Sequence, residues 1–518
     1  MSRGPAWLTG TREAEVVGEL PASLTAVCYD SRRTEPGCLF VAVPGATPRS
    51  RDGHEFIAQA LAQGAAALVV QADHRPAWER LAESGRVPLV VVPDSRRALA
   101  PLAAAFYGWP ARRLRVVGVT GTDGKTSTVH LVAAVLEAAG RRCALLSSAE
   151  LRSGGRAQVN ATHMTTLEAP EVQAFLAGAL EAGDQWAVLE ASSHGLALHR
   201  VDACEFDVAV FTTLGRDHLD FHGDLEEYRA AKGRLFRLLG EAADKGVPKT
   251  AVLNADDPAS DYFRHLSAAS VVTYGLEAPA DVMARAVRAE GLAMSFELVG
   301  AFGAVPVKTR LAGRYNVYNC LAAAAVGLSQ GLSAEEVKRG LESVSGVPGR
   351  MEIIDAGQPF SVVVDIASTP QALTNVLGVL RTACLPVGQA GRGRLWAVFG
   401  CAGERDPGRR DGMGRAAGRL ADFVVLTNED PRSEDPDAII EAIAAGLRDA
   451  GRREGDDFVR IPDRRQAIAY AFERAGDGDV VLLAGKGSEQ TMVFGDQHVP
   501  WDERAVAREL LELRRLGN

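Results

Sequence analysis

The chain has 518 residues, 47% apolar and 24% charged, with a formal net charge of −9. That length predicts several domains with large cores, and the acidic balance argues against a nucleic-acid partner. No apolar run reaches membrane-span length, residues 1–15 carry no apolar signal core, and the seven cysteines form no C-x-x-C pair, which predicts a reduced, cytoplasmic chain without membrane insertion.

Along the chain, residues 1–110 alternate short strands and helices. Phe56 to Leu61 reads as helix, and Ala65 to Val70 and Val87 to Val92 as strands. Tyr107-Gly108-Trp109-Pro110 breaks the pattern. A second domain, 111–345, opens with the apolar stretch Leu114 to Val117 and continues with strands Trp186 to Leu189 and Val208 to Phe211, a pattern that predicts a parallel sheet. Residues 270–311 show short alternating strands and predict a β-rich annex. Gly346-Val347-Pro348-Gly349 marks the next boundary. The third domain, 346–518, carries strands Val362 to Ile366, Leu395 to Phe399, Phe423 to Thr427 and Val480 to Ala484 between helices. The Gly/Arg-rich run 388–394 reads as a surface loop. The fold class is therefore α/β in three domains.

The chemistry starts at Gly118-Val119-Thr120-Gly121-Thr122-Asp123-Gly124-Lys125-Thr126-Ser127-Thr128. A strand, a glycine-rich turn and a helix with apolar positions Val129, Val132, Val135 and Leu136 make an anion cradle. Backbone N–H groups can approach a phosphate, and the helix N-terminus adds partial positive charge. Lys125 would reach the outer phosphates, and the Thr126 hydroxyl would bind Mg²⁺. The spacing departs from the strict phosphate-loop pattern, since Val119 stands six residues before Lys125.

Glu190 ends the strand Trp186 to Leu189, and ligands gather beyond strand C-termini in parallel sheets. It could complete a Mg²⁺ site with Thr126. Beyond Phe211 to Leu214 stand Arg216-Asp217-His218-Leu219-Asp220-Phe221-His222. A metal or acid–base role is plausible for His218, and a structural one for His222. Lys232, on a helix, reads by itself as a surface lysine.

Taken together these blocks resemble the Mur ligases, ATP-dependent amide-forming enzymes of peptidoglycan synthesis. The resemblance is to the members that add the third residue to UDP-N-acetylmuramoyl-L-alanyl-D-glutamate. It runs almost end to end. It covers Asp30-Ser31-Arg32 with Pro36-Gly37-Cys38-Leu39-Phe40-Val41-Ala42, then Glu190-Ala191-Ser192-Ser193-His194-Gly195-Leu196 and His199-Arg200-Val201. Further on it takes in Phe211 to Asp220, Ala231-Lys232, Gly313-Arg314-Tyr315-Asn316-Val317-Tyr318-Asn319, Gly349-Arg350-Met351-Glu352 and Arg405-Asp406.

The resemblance implies an N-terminal uridine-nucleotide domain, a central phosphate-loop ATPase-like domain with a small β annex, and a Rossmann-like C-terminal domain that binds the amino acid. It implies ATP at Gly121, Thr122, Asp123, Gly124, Lys125, Thr126 and Ser127, with Asn316 meeting the adenine and Arg350 also on the nucleotide. Thr126 and Glu190 would hold one Mg²⁺, and His218 and Lys232 would help place a second, with Lys232 carbamylated by CO₂ to become an anionic oxygen donor. Ser31, Thr165, Thr166, Ser192 and Arg200 would hold the nucleotide-peptide. Arg405, Asp430, Arg432, Gly485 and Glu489 would hold the incoming diamino acid. A monomer is expected.

Departures stand out. Asp365-Ile366-Ala367-Ser368-Thr369-Pro370 replaces an Asp-Tyr-Ala-His-Thr-Pro run, so Ile366 and Ser368 stand where an aromatic and an imidazole are usual. Ser488 replaces a histidine in Gly485-Lys486-Gly487-Ser488-Glu489, and Leu198 replaces a glutamine. Glu429-Asp430-Pro431-Arg432 replaces Asp-Asn-Pro-Arg, the run of diaminopimelate users. Arg432 can still grip a carboxylate, whereas an anionic Asp430 favours a simpler cationic side chain such as lysine or ornithine. Two alternatives stay open. One is a relative acting on another carboxylate, as folylpolyglutamate-type ligases do, although these lack a uridine domain. The other is a non-catalytic nucleotide-binding regulator.

Overall fold

Alternate residues of the apolar strands fall into different cores, as period-two geometry requires when helices cover both faces of a sheet. In the strand Leu395–Phe399, Leu395, Ala397 and Phe399 enter one core, and Trp396 and Val398 the other. The N-terminal sheet divides likewise, with Leu39 and Val41 on one side and Phe40 on the other.

The computed structural model describes residues 5–11, 13–46, 50–83, 85, 87–162, 164–266, 268–384 and 393–517. The predicted loop at 388–394 lies mostly outside the described residues. The chain forms two units. One comprises Met1–Ala157, Met164–Met283 and Leu321–Val337, and the other Gln158–His163, Ala284–Cys320 and Lys338–Asn518.

The first unit holds two sheets. The N-terminal one has the order Glu15–Val17, Leu89–Val92, Ala67–Gln71, Leu39–Val41, Val27–Cys28, parallel except at its first pairing. The central one contains the run Ser270–Gly275, Thr250–Asn254, Val208–Phe211, Arg115–Thr120, Trp186–Glu190, Cys143–Leu146, these six all parallel, and Glu150–Ser153 continues it antiparallel beside Cys143–Leu146. The parallel sheet expected from the apolar runs is present. The expected annex at 270–311 needs correction at its start. Ser270–Gly275 pairs parallel with Thr250–Asn254 and extends the central sheet. An antiparallel ladder is built further on, by Ala293–Gly300 and Gly303–Thr309.

The second unit contains a sheet in the order Glu352–Ile354, Ser361–Asp365, Val480–Ala484, Leu395–Phe399, Phe423–Leu426, Phe458–Arg460, parallel except at its first pairing. Among the described residues no helix is long and apolar enough to cross a membrane. Cys28, Cys38, Cys143, Cys204, Cys320 and Cys401 are buried thiols, in line with their apolar surroundings.

Candidate active site

The strand Arg115–Thr120 gives way to a four-residue turn, and the helix Lys125–Ala138 begins at Lys125. Val129, Val132, Val135 and Leu136 of this helix are buried, which fixes its N-terminus against the sheet. Gly124 adopts φ 83°, a left-handed conformation that glycine tolerates best. A Cβ on Gly121 would strike the Thr212 hydroxyl. The turn is tied to its neighbours by Thr122 N donating to Thr213 O (2.7 Å) and by Gly215 N donating to Thr122 Oγ1 (2.8 Å).

Two lysine side-chain nitrogens meet at this turn. Lys125 Nζ donates to Gly121 O (3.0 Å) and Thr122 O (2.8 Å), and Lys232 Nζ donates to the same Gly121 O at 2.8 Å. Lys232 is 1% exposed, so the surface-lysine reading of its helix pattern is corrected. The helix Leu225–Glu241 turns it inward, with the Tyr228 ring 4.2 Å from Nζ. Burial, and then the Lys125 charge, push its amine well below the ordinary lysine range, against Asp217 and Asp123. The Tyr228 hydroxyl lies 3.1 Å from Thr122 Oγ1, so one side chain supports both the turn and Lys232.

Beside the turn, Thr126 Oγ1 lies 3.0 Å from Ser148 Oγ. Ser148 N donates to Glu190 Oε1 (2.8 Å), and Ser148 Oγ does so at 3.2 Å. Glu190 is 1% exposed, yet among the described residues its Oε2 has no hydrogen-bond partner. A buried carboxylate oxygen without a donor is costly unless a cation meets it. Glu190 and Thr126 thus present the oxygen-rich, anionic donor set that suits Mg²⁺. His218, at φ 54°, places Nε2 3.3 Å from Asp217 Oδ2 and packs edge-on against His194. Asp217 also acts on Lys232 by charge, which ties His218 to the same cluster.

Three of the expected substrate residues, Thr166, Ser192 and Arg200, form a connected group. Thr166 Oγ1 donates to Glu190 O (2.8 Å) and accepts from Ser192 N (2.9 Å). Ser192 Oγ caps the helix Ser193–Ala197 by accepting from Gly195 N. Arg200 Nη1 donates to Thr166 O (3.0 Å), and Nη2 pairs with Glu168 at 2.7 Å. Thr166 is buried and its hydroxyl is engaged within the protein, whereas Thr165 is half-buried beside it. In the N-terminal domain, Ser31 is buried and donates to Gln59 Oε1 (3.1 Å). Nearby, Tyr29 and Arg33 both meet Glu171.

In the second unit, Asn316 Nδ2 donates to Ala312 O (2.8 Å), and its Oδ1 accepts from Asn319 Nδ2 (2.9 Å). Arg350 N donates to Val347 O, closing the turn after the glycine boundary. Asp365 accepts from Met351 N and Ala367 N with its two oxygens, both at 2.8 Å.

The expected amino-acid residues Asp430, Arg432, Gly485 and Glu489 gather at the ends of the strands Phe423–Leu426 and Val480–Ala484. Lys486, fully buried, donates to Asp430 Oδ1 (2.8 Å) and Glu489 Oε2 (2.5 Å). Burial alone would lower this lysine, but Glu489 and Asp430 outweigh it and hold it above its ordinary range. Asp430 Oδ1 also accepts from Val493 N (3.0 Å). Asp430 is therefore an ion-paired carboxylate that shares the Lys486 ammonium with Glu489.

Its neighbour Glu429 is different. It is 5% exposed, its Oε2 has no partner among the described residues, and a Cβ on Gly485 would come within 2.6 Å of that oxygen. Burial pushes its carboxyl up to about 7 despite Lys486. Arg432, at φ 55°, keeps a buried Nε without a hydrogen-bond partner among the described residues and stands 3.9 Å from Glu404. Arg405 is exposed. Ser488 is buried, and Ile366 and Ser368 are half-buried.

Ser148, Tyr228 and Lys486 carry no role in the sequence reading, and Glu429 enters it only within the run that departs from Asp-Asn-Pro-Arg. Glu429 had a usable signal, since it comes just after an apolar strand run as Glu190 does. Ser148 had none, because a serine in a turn is common.

The family profile described as "Mur ligase family, catalytic domain" matches residues 23–107. "Mur ligase middle domain" matches 119–327, and "Mur ligase, glutamate ligase domain" matches 349–487. A "UDP-N-acetylmuramyl-tripeptide synthetase" of Roseiflexus sp. is 47% identical over 498 residues, covering 94% of each chain. A "UDP-N-acetylmuramoyl-L-alanyl-D-glutamate--2,6-diaminopimelate ligase" of Geobacillus thermodenitrificans is 44% identical over 95% of this chain and 96% of its own. A solved structure bearing that second name superposes with a TM-score of 0.62 at 31% identity, covering 95% of both chains.

Proposed function

The chain belongs to the Mur ligase family, and from that premise we propose that it joins 2,6-diaminopimelate to UDP-N-acetylmuramoyl-L-alanyl-D-glutamate through an acyl phosphate. It is an ATP-dependent amide-forming ligase of three α/β domains. The observation that carries the site assignment is the orphaned Oε2 of Glu190, whose other oxygen Ser148 holds next to Thr126 at the head of the phosphate-loop helix.

Lys125, Gly121, Thr122, Asp123, Gly124 and Ser127 cradle the triphosphate. Lys125 neutralises charge on the γ-phosphoryl group as it moves. Thr126 and Glu190 would hold Mg²⁺, and His218 with Lys232 would help place a second ion. Mg²⁺ supplies neutralisation of phosphate oxygens. Lys232 is buried next to another ammonium, which favours its neutral amine. A neutral amine is the form that adds CO₂, losing a proton to give an anionic carbamate suited to a hard cation.

Ser31, Thr165, Thr166, Ser192 and Arg200 hold the nucleotide-peptide, whose carboxylate oxygen attacks phosphorus as ADP leaves. The amine of the incoming residue then attacks the acyl carbon, and phosphate departs with the oxygen that linked it to carbon. Asn316 and Arg350 contact the nucleotide. Catalysis is chiefly positioning and charge neutralisation.

Diaminopimelate is favoured over lysine or ornithine by the pairing of Asp430 with Lys486 and by the donor that Arg432 keeps for a distal carboxylate. Glu429, Gly485 and Glu489 receive the distal ammonium, and Arg405 adds charge at the rim. Supplying ATP, the UDP-linked dipeptide and a panel of diamino acids tests this reading. A product of the diaminopimelate mass is expected. ATP turnover with no amide product from diaminopimelate, lysine or ornithine refutes it.

A further inference from the structure

Glu190 presents an asymmetry that the site assignment leaves unexplained. One carboxylate oxygen receives two hydrogen bonds from Ser148, at 2.8 Å and 3.2 Å, and the other receives none among the described residues. The terminal torsion of glutamate is broad and roughly two-fold, so the chain itself does not choose which oxygen faces the helix N-terminus. Ser148 makes that choice.

Ser148 is itself held rigidly. Ser147, fully buried, accepts with Oγ from Ala149 N (3.2 Å) and Glu150 N (3.0 Å), and its N–H donates to Glu150 O (3.0 Å). These bonds close a tight turn directly after the strand Cys143–Leu146. His130, one turn along the helix from Thr126, brings Nε2 to 3.4 Å from Ser147 Oγ. Turn and helix are thereby joined at a second point beside the Thr126–Ser148 contact. Ser148 itself is half-buried, and its hydroxyl contacts both Thr126 Oγ1 and Glu190 Oε1.

We infer that Ser148 is a positioning residue for the divalent cation: by fixing Oε1 of Glu190 and touching Thr126 Oγ1, it presents Oε2 and the Thr126 hydroxyl as one pre-formed pair of ligands. The inference rests on the ATP-ligase reading and adds to it a residue that acts through Glu190 and Thr126. Partners that orient a metal ligand change affinity for the ion by about 10–100-fold when removed. Removing the hydroxyl leaves the Ser148 N–H bond intact, so the low end of that range applies.

The test uses the full-length protein as wild type, Ser148→Ala and Ser148→Thr, with Mn²⁺ as the spin-active ion and a non-hydrolysable ATP analogue. Electron paramagnetic resonance titration reads Mn²⁺ affinity in the ternary complex, calorimetry in EDTA reads the analogue alone, and a thermal melt reads folding. Ser148→Ala should weaken Mn²⁺ binding about ten-fold while leaving analogue affinity in EDTA and the melt unchanged. Ser148→Thr, which keeps the hydroxyl, should restore Mn²⁺ affinity to near wild type. In turnover, the Mg²⁺ concentration for half-maximal rate should rise in Ser148→Ala, with kcat largely recovered at high Mg²⁺. Wild-type Mn²⁺ affinity in Ser148→Ala, a loss of analogue affinity in EDTA to match, or a threonine variant no better than alanine overturns the inference and leaves the ligase reading standing. Failure of the wild type to bind Mn²⁺ with the analogue overturns both, and the wild-type control alone reveals it.

Discussion

Glu429→Gln should make the protein increasingly harder to unfold than wild type as the pH rises, the opposite of the effect of losing a well-paired acid. The Glu429 carboxyl is buried, its Oε2 lacks a partner among the described residues, and burial lifts it from the ordinary 4.5 to about 7. The folded state therefore holds this proton more tightly than the unfolded chain does. Between those two values the folded form binds more protons, so the unfolding free energy falls as pH rises through the window. The full rise corresponds to about 3 kcal/mol. Glutamine keeps the shape and has no proton to lose. The stability gap between variant and wild type should therefore widen by about 2 kcal/mol in favour of the variant from about pH 5.5 to about pH 8.5. Urea unfolding monitored by circular dichroism at both pH values measures it. A gap independent of pH, or one that narrows as pH rises, refutes the buried-carboxyl argument.

Lys125→Ala should lower turnover on the order of 10²–10³-fold, because one preorganised cation at the developing charge is worth roughly that much; phosphate release at saturating ATP checks it. Lys232→Ala should also be inactive, unmoved by high bicarbonate and partly restored by short carboxylic acids, whose carboxylate can stand in for the carbamate. Arg432→Ala should raise KM for diaminopimelate by about ten-fold or more, the worth of a bidentate charge pair, with KM for ATP unchanged. Asp430→Asn should leave amino-acid choice unaltered while destabilising the second unit by leaving Lys486 buried with one partner fewer, as thermal denaturation would report.

Much of the catalytic centre was legible because its parts are local. The glycine turn, Lys125 and Thr126 lie within one strand–helix junction, and Glu190 ends a strand whose apolar run is unmistakable. The resemblance supplied the link to Lys232, whose helix pattern alone reads as surface. The hidden parts depend on contacts between distant segments. Ser148 matters because the strand Cys143–Leu146 lies beside Trp186–Glu190, and nothing in its own neighbourhood announces that. Asp430 changes meaning because Lys486, 56 positions away, pairs with it. The alternating sequence of Ser270–Gly275 reads as part of an annex; its parallel pairing with Thr250–Asn254 depends on a neighbour some twenty residues away.

The central claim is that a substrate carboxylate takes the γ-phosphoryl group and then surrenders phosphate to an amine. Labelling that carboxylate of the UDP-linked dipeptide with oxygen-18 and analysing the released phosphate by mass spectrometry tests it directly. One labelled oxygen per phosphate is predicted, formed only when ATP and diaminopimelate are both present. Unlabelled phosphate accompanying amide product would contradict the account.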